Sequence, residues 1–380
     1  MTWNWQQEGW PKFRYDNSAL AAFEARFLEQ SGLLIGAAKH MNEETQQQLV
    51  VELITDEAVD TSRIEGDYLD RDSVQSSVLR NFGLKADNKK VQPAERGIAD
   101  MMTDLYKNFD VPLSHQTLYA WHKKLAHERG DLSDVGRYRS HDEPMQVVSG
   151  SIGKPKIHFE APPSKDIKKE MDAFLLWWKQ TSKQGEVPLA PLVRTGIAHL
   201  YFVSIHPFED GNGRIARALS EKALAEHLGV PSMIALSQTI GGKRKAYYEA
   251  LERNNKGTEI TDWLIYFADT VLASQQHSID LVDFLIQKTK LYDKVKSQLN
   301  ERQDRVLARV FKEGLHGFKG GVSAENYIKI TGVSRATATR DLQDLVEKDV
   351  FIKTGMLKST RYHLNVSMSS HSRDRKRKTP

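Results

Sequence analysis

Twelve residues in the middle of the chain, HPFEDGNGRIAR from His206 to Arg217, place the strictest demands on the backbone. They join an apolar segment of helical periodicity, Leu192–Ile205, to an amphipathic one, Arg214–Leu228. Gly211 and Gly213 flank an asparagine, and glycine readily adopts the positive φ of a tight turn. The sequence therefore predicts a sharp loop that leads directly into a helix N-terminus.

This loop has the composition of a phosphate site. A helix N-terminus after a glycine-rich loop presents unpaired N–H groups and the positive end of the helix dipole. Arg214 and Arg217 lie on neighbouring positions of one helix face, and two fixed cations suit a polyphosphate better than a single carboxylate. Asp210 is a candidate Mg²⁺ ligand, since Mg²⁺ uses one or two carboxylates together with phosphate oxygens. His206 is a candidate general base.

The stretch resembles the Fic-family motif H-x-F-x-[DE]-G-N-G-R-x-x-R at every specified position, and the resemblance covers roughly residues 91–275. It implies a mainly α-helical fold, with a helical core and a β-hairpin flap. The implied activity is transfer of AMP from ATP to a Ser, Thr or Tyr hydroxyl of target proteins, self-modification included. No Walker A pattern, G-x-x-x-x-G-K-[ST], occurs in the chain.

The resemblance assigns a role to each residue of the loop. His206 would be the general base, and Asp210 would bind the cofactor Mg²⁺ beside the substrate ATP. Phe208 would be a buried anchor without a chemical role. Arg217 would neutralise the γ-phosphate. The ATP-binding positions implied here are Asp210, Gly211, Asn212, Gly213, Arg214, Ile215, Ala216 and Arg217.

Residues 145–150, MQVVSG, resemble the flap of the same family, whose backbone aligns a target segment by β-augmentation. Two short β-like runs around a connection that contains Gly and Pro independently favour a hairpin in this part of the chain. The flap residues implied by the resemblance are Val147, Val148, Ser149 and Gly150.

The segment KAYYEALERNNKG resembles the adenine side of the nucleotide pocket and contributes Tyr247, Tyr248 and Asn255. Tyr248 would stack on the base, and Asn255 would hydrogen-bond to it. The alternative for the two tyrosines is an aromatic pair that only packs a helix.

Upstream, Thr61–Gly66 (TSRIEG) matches the inhibitory pattern [ST]-x-x-x-E-[GN] of the family. The resemblance implies that Glu65 pairs with Arg217 and removes the cation that the γ-phosphate needs. An ordinary helix end with Gly66 as its cap is the alternative. We expect Glu65 to restrain the activity, either within one chain or across a homodimer.

The chain divides into five predicted regions: an N-terminal helical region with the inhibitory helix (1–90), a catalytic domain (91–275), a helical connector (276–300), a small domain (301–366) and a basic disordered tail (367–380). The net charge of +4 conceals an asymmetry, since residues 301–380 carry 17 Lys and Arg against 9 Asp and Glu. A basic end on a mildly acidic body predicts different partners for different regions.

Residues 301–366 resemble the winged-helix family: a helix, a turn, a second helix capped by Ser334 and two strands, Val350–Thr354 and Arg361–Leu364. The second helix is expected to bury Ala336, Leu342 and Leu345. Residues placed to meet DNA bases or phosphates are Arg335, Thr337, Thr339, Arg340, Lys353, Lys358, Arg361, Arg373 and Arg375–Lys378. The acidic residues Asp341, Asp344 and Glu347 on the same helix favour protein docking or self-association instead.

The composition excludes several classes of protein. The chain has no cysteine, which excludes disulfide scaffolds, thiolate metal sites and a cysteine nucleophile. No apolar run approaches 18 residues and the first residues lack a secretory pattern, so we expect a cytoplasmic protein without membrane contact. Two alternatives stay open: an ATP-sensing, DNA-binding transcriptional regulator, and a transferase with another nucleotide donor. His206 favours an enzyme, because sensing alone needs no base.

Overall fold

The computed structural model describes residues 2–87, 90–150, 156–318 and 320–366. The tail from residue 367, with Arg373 and Arg375–Lys378, lies outside the described residues, as does the side chain of Lys358. Over the described part the chain is mainly helical with two small antiparallel sheets, which confirms the predicted fold class. None of the helices in these ranges combines the length and apolarity that a membrane span requires.

The helices follow the predicted order, and several begin or end within three residues of the predicted position. They are α1 (Asn17–Lys39), α2 (Glu43–Glu65), α3 (Arg71–Asn81), α4 (Pro93–Lys107), α5 (His115–Leu125), α6 (Ser164–Gln180), α7 (Pro191–Ile205), α8 (Asn212–Leu228), α9 (Leu236–Gly242), α10 (Arg244–Asn254), α11 (Thr261–Val295), α12 (Glu301–Lys312), α13 (Ala324–Thr331) and α14 (Arg335–Glu347). The strands are β1 (Gln146–Ser149), β2 (Lys156–Glu160), β3 (Phe351–Thr354) and β4 (Arg361–Leu364).

The described residues form two compact units, one within residues 2–33 and 50–276 and the other within residues 34–49 and 277–366. The centre of the first unit is α7, which is mainly apolar and is buried along nearly its whole length. One of its faces contributes Tyr201 and Ile205 to a core shared with α2 to α6 and α8. Another face contributes Ile197 and Leu200 to a core shared with α1, α10 and α11. Because both faces are buried, the end of α7 is held firmly.

Helices α2 and α3 of the N-terminal region share a core with the central helices. Val51, Ala58 and Val78, on α2 and α3, belong to the same apolar cluster as Tyr201. The apolar faces of α2 and α3 are therefore buried against the central helices. The boundary near residue 90 stays a prediction.

The hairpin β1–β2 is antiparallel, with a bulge between Val147 and Val148. Phe159 faces inward, where it packs edge to face on Trp3 with ring centroids 5.3 Å apart. Val147, Val148 and Ile157 stay exposed. Aromatic packing thus holds the base of the hairpin on the first unit.

In the second unit, α12, α13 and α14 enclose an apolar core that includes Val306, Tyr327 and Leu345, and β3 pairs with β4. Leu342 and Leu345 of α14 are buried as predicted, but Ala336 is exposed and Ala338 is buried instead. The prediction for Ala336 was wrong because positions 338, 342 and 345 follow the helical period of one face, and position 336 lies off it.

The close approach of α4 and α5 depends on Gly97. A Cβ at this position would lie 2.0 Å from the carbonyl oxygen of Lys124, an obstacle in the backbone that cannot rotate away. We expect Gly97→Ala to lower the free energy of unfolding by about 1–3 kcal/mol, measured by urea denaturation followed by circular dichroism.

Gly32 is the matched control, because it lies within α1 and a Cβ there would meet nothing within 4 Å. Gly32→Ala is expected to raise the free energy of unfolding by about 0.5–1 kcal/mol. Stabilisation by Gly97→Ala as well would contradict the contact between α4 and α5.

Candidate functional site

The loop between α7 and α8 is closed by the side chain of Asn212. Its Oδ1 accepts the backbone N–H of Phe208 at 3.0 Å, and its Nδ2 donates to the carbonyl oxygen of Phe208 at 2.8 Å. Phe208 is fully buried and stacks on His122 with ring centroids 4.2 Å apart. Gly211 has φ 82°, the left-handed conformation expected of a glycine before the helix. The amide group of Asn212 shapes the loop, so only its backbone N–H is left for an anion.

His206 ends α7 in a left-handed conformation, with φ 51° and ψ 59°. Its Nδ1 lies 3.3 Å from the carbonyl oxygen of Val203. Because a carbonyl only accepts, this contact places the ring proton on Nδ1 and leaves the lone pair on Nε2. Burial lowers the pKa of His206 to about 4, so the ring is neutral near pH 7. A neutral imidazole with a free Nε2 is able to accept a proton.

Arg139 holds the backbone of His206, and sequence reasoning missed it. Its Nε donates to the carbonyl oxygen of His206 at 2.9 Å. Its two terminal nitrogens donate to the Pro162 carbonyl at 2.5 Å and to the Ser164 hydroxyl at 2.8 Å. The guanidinium therefore ties the histidine to the segment that leaves the hairpin. No local pattern distinguishes Arg139 in the sequence, because it lies 67 positions away from its partner.

Asp210 and Arg214 form an ion-pair network with two residues that the sequence did not indicate. Arg214 donates to Asp67 at 2.9 Å and to Asp210 at 3.2 Å, and Arg129 donates to Asp210 at 2.8 Å. Burial by itself would raise the pKa of Asp210, but Arg214, the Gly211 N–H and Arg129 together hold it below its usual value. Asp210 is therefore ionised near neutral pH.

Arg217 is fully buried and pairs with Glu65 of the same chain, with Nη2 and Oε1 2.7 Å apart. Its Nε donates to the Thr61 hydroxyl at 2.7 Å, and Nη2 also donates to the Thr61 carbonyl at 3.0 Å. Among the described residues, no hydrogen-bond acceptor is in place for Nη1 of Arg217 or Nε of Arg214. Buried donors without partners are costly, so these two N–H groups suit an incoming anion.

The carboxylate of Glu65 lies over the first turn of α8. A Cβ on Gly213 would be 2.4 Å from Oε1 of Glu65, so a larger residue here would displace the end of the Glu65 side chain. Gly66, with φ 98°, ends α2 directly after Glu65, so the ordinary helix cap and the contact with Arg217 occur together. The glutamate thus occupies the place where the N–H groups and dipole of α8 attract negative charge.

Tyr247 is a buried neighbour of Arg217. It is only 2% exposed, and its hydroxyl lies 2.8 Å from Nε2 of His199, whose Nδ1 lies 3.0 Å from the Ser220 hydroxyl. Burial raises the pKa of Tyr247, so the hydroxyl keeps its proton. Within the described residues, the buried ring of Tyr247 packs a helix and has no open face on which a nucleotide base could stack. Ile215 and Ala216 are also fully buried in the core.

Tyr248 lies at the surface of the site, whereas Asn255 is buried. The ring of Tyr248 is 37% exposed and lies 5.6 Å from the guanidinium of Arg244. Nδ2 of Asn255 donates to the carbonyl of His158 in β2 at 3.0 Å, and its buried Oδ1 has no partner among the described residues. The structure therefore joins Asn255 to the hairpin and leaves one amide acceptor available.

The flap residues lie on β1 and just beyond it. Val147 and Val148 expose 37% and 50% of their surface, and the Ser149 hydroxyl lies 2.6 Å from Nε2 of His158. Gly150, with φ 100°, leads into residues 151–155, which lie outside the described residues. One edge of β1 pairs with β2.

Asp210 is the candidate Mg²⁺ ligand of this site. No group of three or more His, Asp or Glu side chains that could hold a metal occurs in the described residues. Asp210 supplies one ionised, partly exposed carboxylate beside unpartnered cationic donors. That set fits Mg²⁺ which arrives with a polyphosphate, because the ion then takes most of its ligands from phosphate and water.

Two family models match the chain. Residues 3–84 match "Domain of unknown function (DUF4172)", and residues 112–224 match "Fic/DOC family". A similar curated protein is "Protein adenylyltransferase Fic" of Nematostella vectensis, 37% identical over 125 residues, which are 33% of this chain and 25% of that protein. Another is "Uridine 5'-monophosphate transferase" of Xanthomonas campestris pv. campestris, 33% identical over 104 residues, 24% of this chain and 19% of that protein. The chain thus spans a quarter or less of these two relatives.

Solved structures support the fold. A Fic family protein from Desulfovibrio desulfuricans G20 aligns over 90% of this chain and 95% of its own, with a TM-score of 0.51 and 20% identity. A Fic domain containing signaling protein from Bacteroides thetaiotaomicron aligns over 69% of this chain and 96% of its own, with a TM-score of 0.52 and 18% identity. At this identity the likeness concerns the fold alone.

Proposed function

Because residues 112–224 form a Fic domain, we propose that this chain is a protein adenylyltransferase restrained by its own Glu65. It transfers AMP from ATP to a Ser, Thr or Tyr hydroxyl of a target protein, itself included. The observation that carries the proposal is the pairing of Glu65 with the buried Arg217 over the N-terminus of α8. This carboxylate holds the place of a phosphate in a site where two guanidinium N–H groups have no hydrogen-bond partner among the described residues.

The chemistry needs one base and several positive charges. Nε2 of His206 accepts the proton of the target hydroxyl. The hydroxyl oxygen attacks the α-phosphorus of ATP at the same time, and pyrophosphate leaves. General-base action of this kind contributes roughly 10²–10⁴-fold to the rate. Arg214, Arg217 and the N–H groups of the first turn of α8 stabilise the charge on the departing phosphates. Asp210 would hold the Mg²⁺ that accompanies ATP, and this ion would further neutralise the phosphate charge.

The base of the nucleotide is recognised apart from the phosphates. We propose that Tyr248 stacks on adenine and that Oδ1 of Asn255 accepts from its amino group. The loop contacts phosphates only, and one relative is named a uridine 5'-monophosphate transferase. A panel of ATP, UTP, GTP and CTP distinguishes adenylyl transfer from transfer with another donor.

The flap aligns the target segment. Residues Val147, Val148, Ser149 and Gly150 offer a short strand and its end to an extended peptide, and β-augmentation of this kind tolerates many sequences. We propose that this docking brings the acceptor hydroxyl to His206.

The restraint is electrostatic. Glu65 engages the guanidinium that the γ-phosphate requires and places a negative charge beside it, so that ATP binds in an unproductive position. Removal of this carboxylate leaves Arg217 fully buried without its ionic partner, which increases its affinity for phosphate.

The test is intact mass spectrometry of purified protein incubated with ATP and Mg²⁺. We expect an adduct of one AMP that forms faster in Glu65→Gly than in the wild type. In Glu65→Gly/His206→Ala the adduct should form more slowly than in Glu65→Gly, by roughly 10²-fold or more. Glu65→Gln is the matched control, since it removes the charge and keeps the size of the side chain. It is expected to behave like Glu65→Gly.

Equal rates for the wild type and Glu65→Gly would contradict the restraint. An adduct that forms as fast without His206 would contradict the role of the base.

We also propose that residues 301–366 form a winged-helix domain that binds duplex DNA. The favouring observation is the burial of Asp341, which is 4% exposed and accepts from Arg302 at 2.8 Å and Tyr327 at 2.9 Å. Its charge is therefore neutralised inside the domain. Asp344 is likewise engaged, by Gln303 and Lys348.

What remains on the exposed face of α14 is mostly basic or neutral. Arg335, Thr339 and Arg340 are exposed there, and Lys353 is exposed on β3. Asp341 lies off this face, whereas Asp344, with its side chain 40% exposed, and Glu347 follow Arg340 by one and two turns toward the C-terminal end of the helix. A basic helix face of this kind fits the major groove.

Fluorescence anisotropy with a labelled mixed-sequence duplex tests this second function. We expect binding that weakens as the salt concentration rises. In Arg335→Ala/Arg340→Ala the slope of log affinity against log salt concentration should be smaller in magnitude by roughly 2. Lys243→Ala/Lys245→Ala, which removes two exposed cations in another part of the chain, should leave the slope unchanged. Absence of binding at low salt would favour the protein-docking alternative.

A further inference from the structure

The facing surfaces of α2 and α8 continue beyond Glu65. Glu57, Thr61 and Glu65 are spaced four residues apart and share one face of α2. Thr61 and Glu65 contact Arg217 of α8, and one turn further along, Glu57 lies against Glu221. The face of α2 that carries Glu65 therefore also carries Glu57, whose carboxyl group forms a pair with that of Glu221 on α8.

This acid pair is buried. Glu57 is 2% exposed and accepts the backbone N–H of Ser237 at 2.8 Å and also its hydroxyl. Glu221 is 7% exposed, and its Oε1 has no conventional hydrogen-bond partner among the described residues. Both carboxyl groups line a cavity of about 30 Å³ between α2, α4 and α8, whose other walls include Leu105 and Ile234.

The charges around the pair do not compensate two carboxylates. Among the described residues, the charged and titratable groups that face it are Arg217 on α8, Asp60 on α2 and Tyr106 on α4. Arg217 is already engaged by Glu65, and Asp60 adds negative charge. Two buried carboxylates in contact cannot both ionise at low cost, so the pair retains a proton between them.

We propose that the proton shared by Glu57 and Glu221 holds α2 on α8, so that its loss at alkaline pH releases Glu65 from Arg217. The inference rests on the proposed function, of which it is a regulatory part. Burial raises the pKa of Glu57 to about 7, and burial together with Glu57 raises the pKa of Glu221 well above its usual value. A raised pKa means that the contact is stable at low pH and is lost as the pH increases through the titration.

The first readout is the rate of AMP transfer between pH 6 and pH 9, divided at each pH by the rate of the same protein with Glu65→Gly. This ratio cancels the pH dependence of the chemistry. The wild-type ratio is expected to rise with pH, by about tenfold per unit at most. Glu221→Gln, which imitates the protonated acid, should keep a low and constant ratio, and Glu249→Gln, an exposed control, should rise like the wild type. A flat wild-type ratio would overturn the proposal, and so would an equal rise in Glu221→Gln.

The second readout needs no transfer activity. Hydrogen exchange of the amides of residues 57–65 is compared between the wild type and Glu221→Gln at each pH, and Glu57→Gln replaces the variant if Glu221→Gln fails to fold. We expect protection in the wild type to fall below that of the variant as the pH rises. If this occurs without any transfer activity, the proposed function fails and the proton switch stands. Equal protection at every pH contradicts the switch, even where Glu65 restrains transfer.

Discussion

A guanidinium group that is fully buried keeps its charge, and the first unit of this protein is arranged around one. Arg217 is 0% exposed, and an arginine side chain does not release its proton at any physiological pH. An anion beside it therefore stabilises the packed helix α8. Glu65 serves as that anion here, and a phosphate group is the chemical alternative. Competition between the two for one cation connects the fold of the N-terminal helices with the proposed chemistry.

The loop beside Arg217 is fixed by contacts that involve no substrate. Asn212 clamps the backbone of Phe208, Arg139 holds the carbonyl of His206, and burial keeps the imidazole neutral. A site held in this way loses little entropy when substrate binds, because its groups are already oriented. In this arrangement α7 supplies the base and α8 supplies the phosphate site, and their common core fixes one against the other.

Much of this site could be predicted from the sequence, since the motif specifies eight positions within twelve residues and the contact between Glu65 and Arg217 follows from a second pattern. The helix boundaries were predictable because apolar periodicity and caps such as Ser334 are local signals. Arg139, Asp67 and Arg129 could not be predicted, because each meets its partner across a long sequence separation that only packing determines. The burial of Tyr247 and the pairing of Glu57 with Glu221 could not be predicted either, because they too depend on packing between distant segments. No pattern of spacing shows which polar residue of an amphipathic helix ends up inside.

The central claim is that Glu65 and the γ-phosphate compete for Arg217. Crystal structures of the wild type and of Glu65→Gly, both with ATP and Mg²⁺, test it most directly. We expect the guanidinium of Arg217 to contact the γ-phosphate in the variant and to stay on Glu65 in the wild type, with the triphosphate displaced from His206. A wild-type structure in which Arg217 contacts Glu65 and a productively placed γ-phosphate together would contradict the claim.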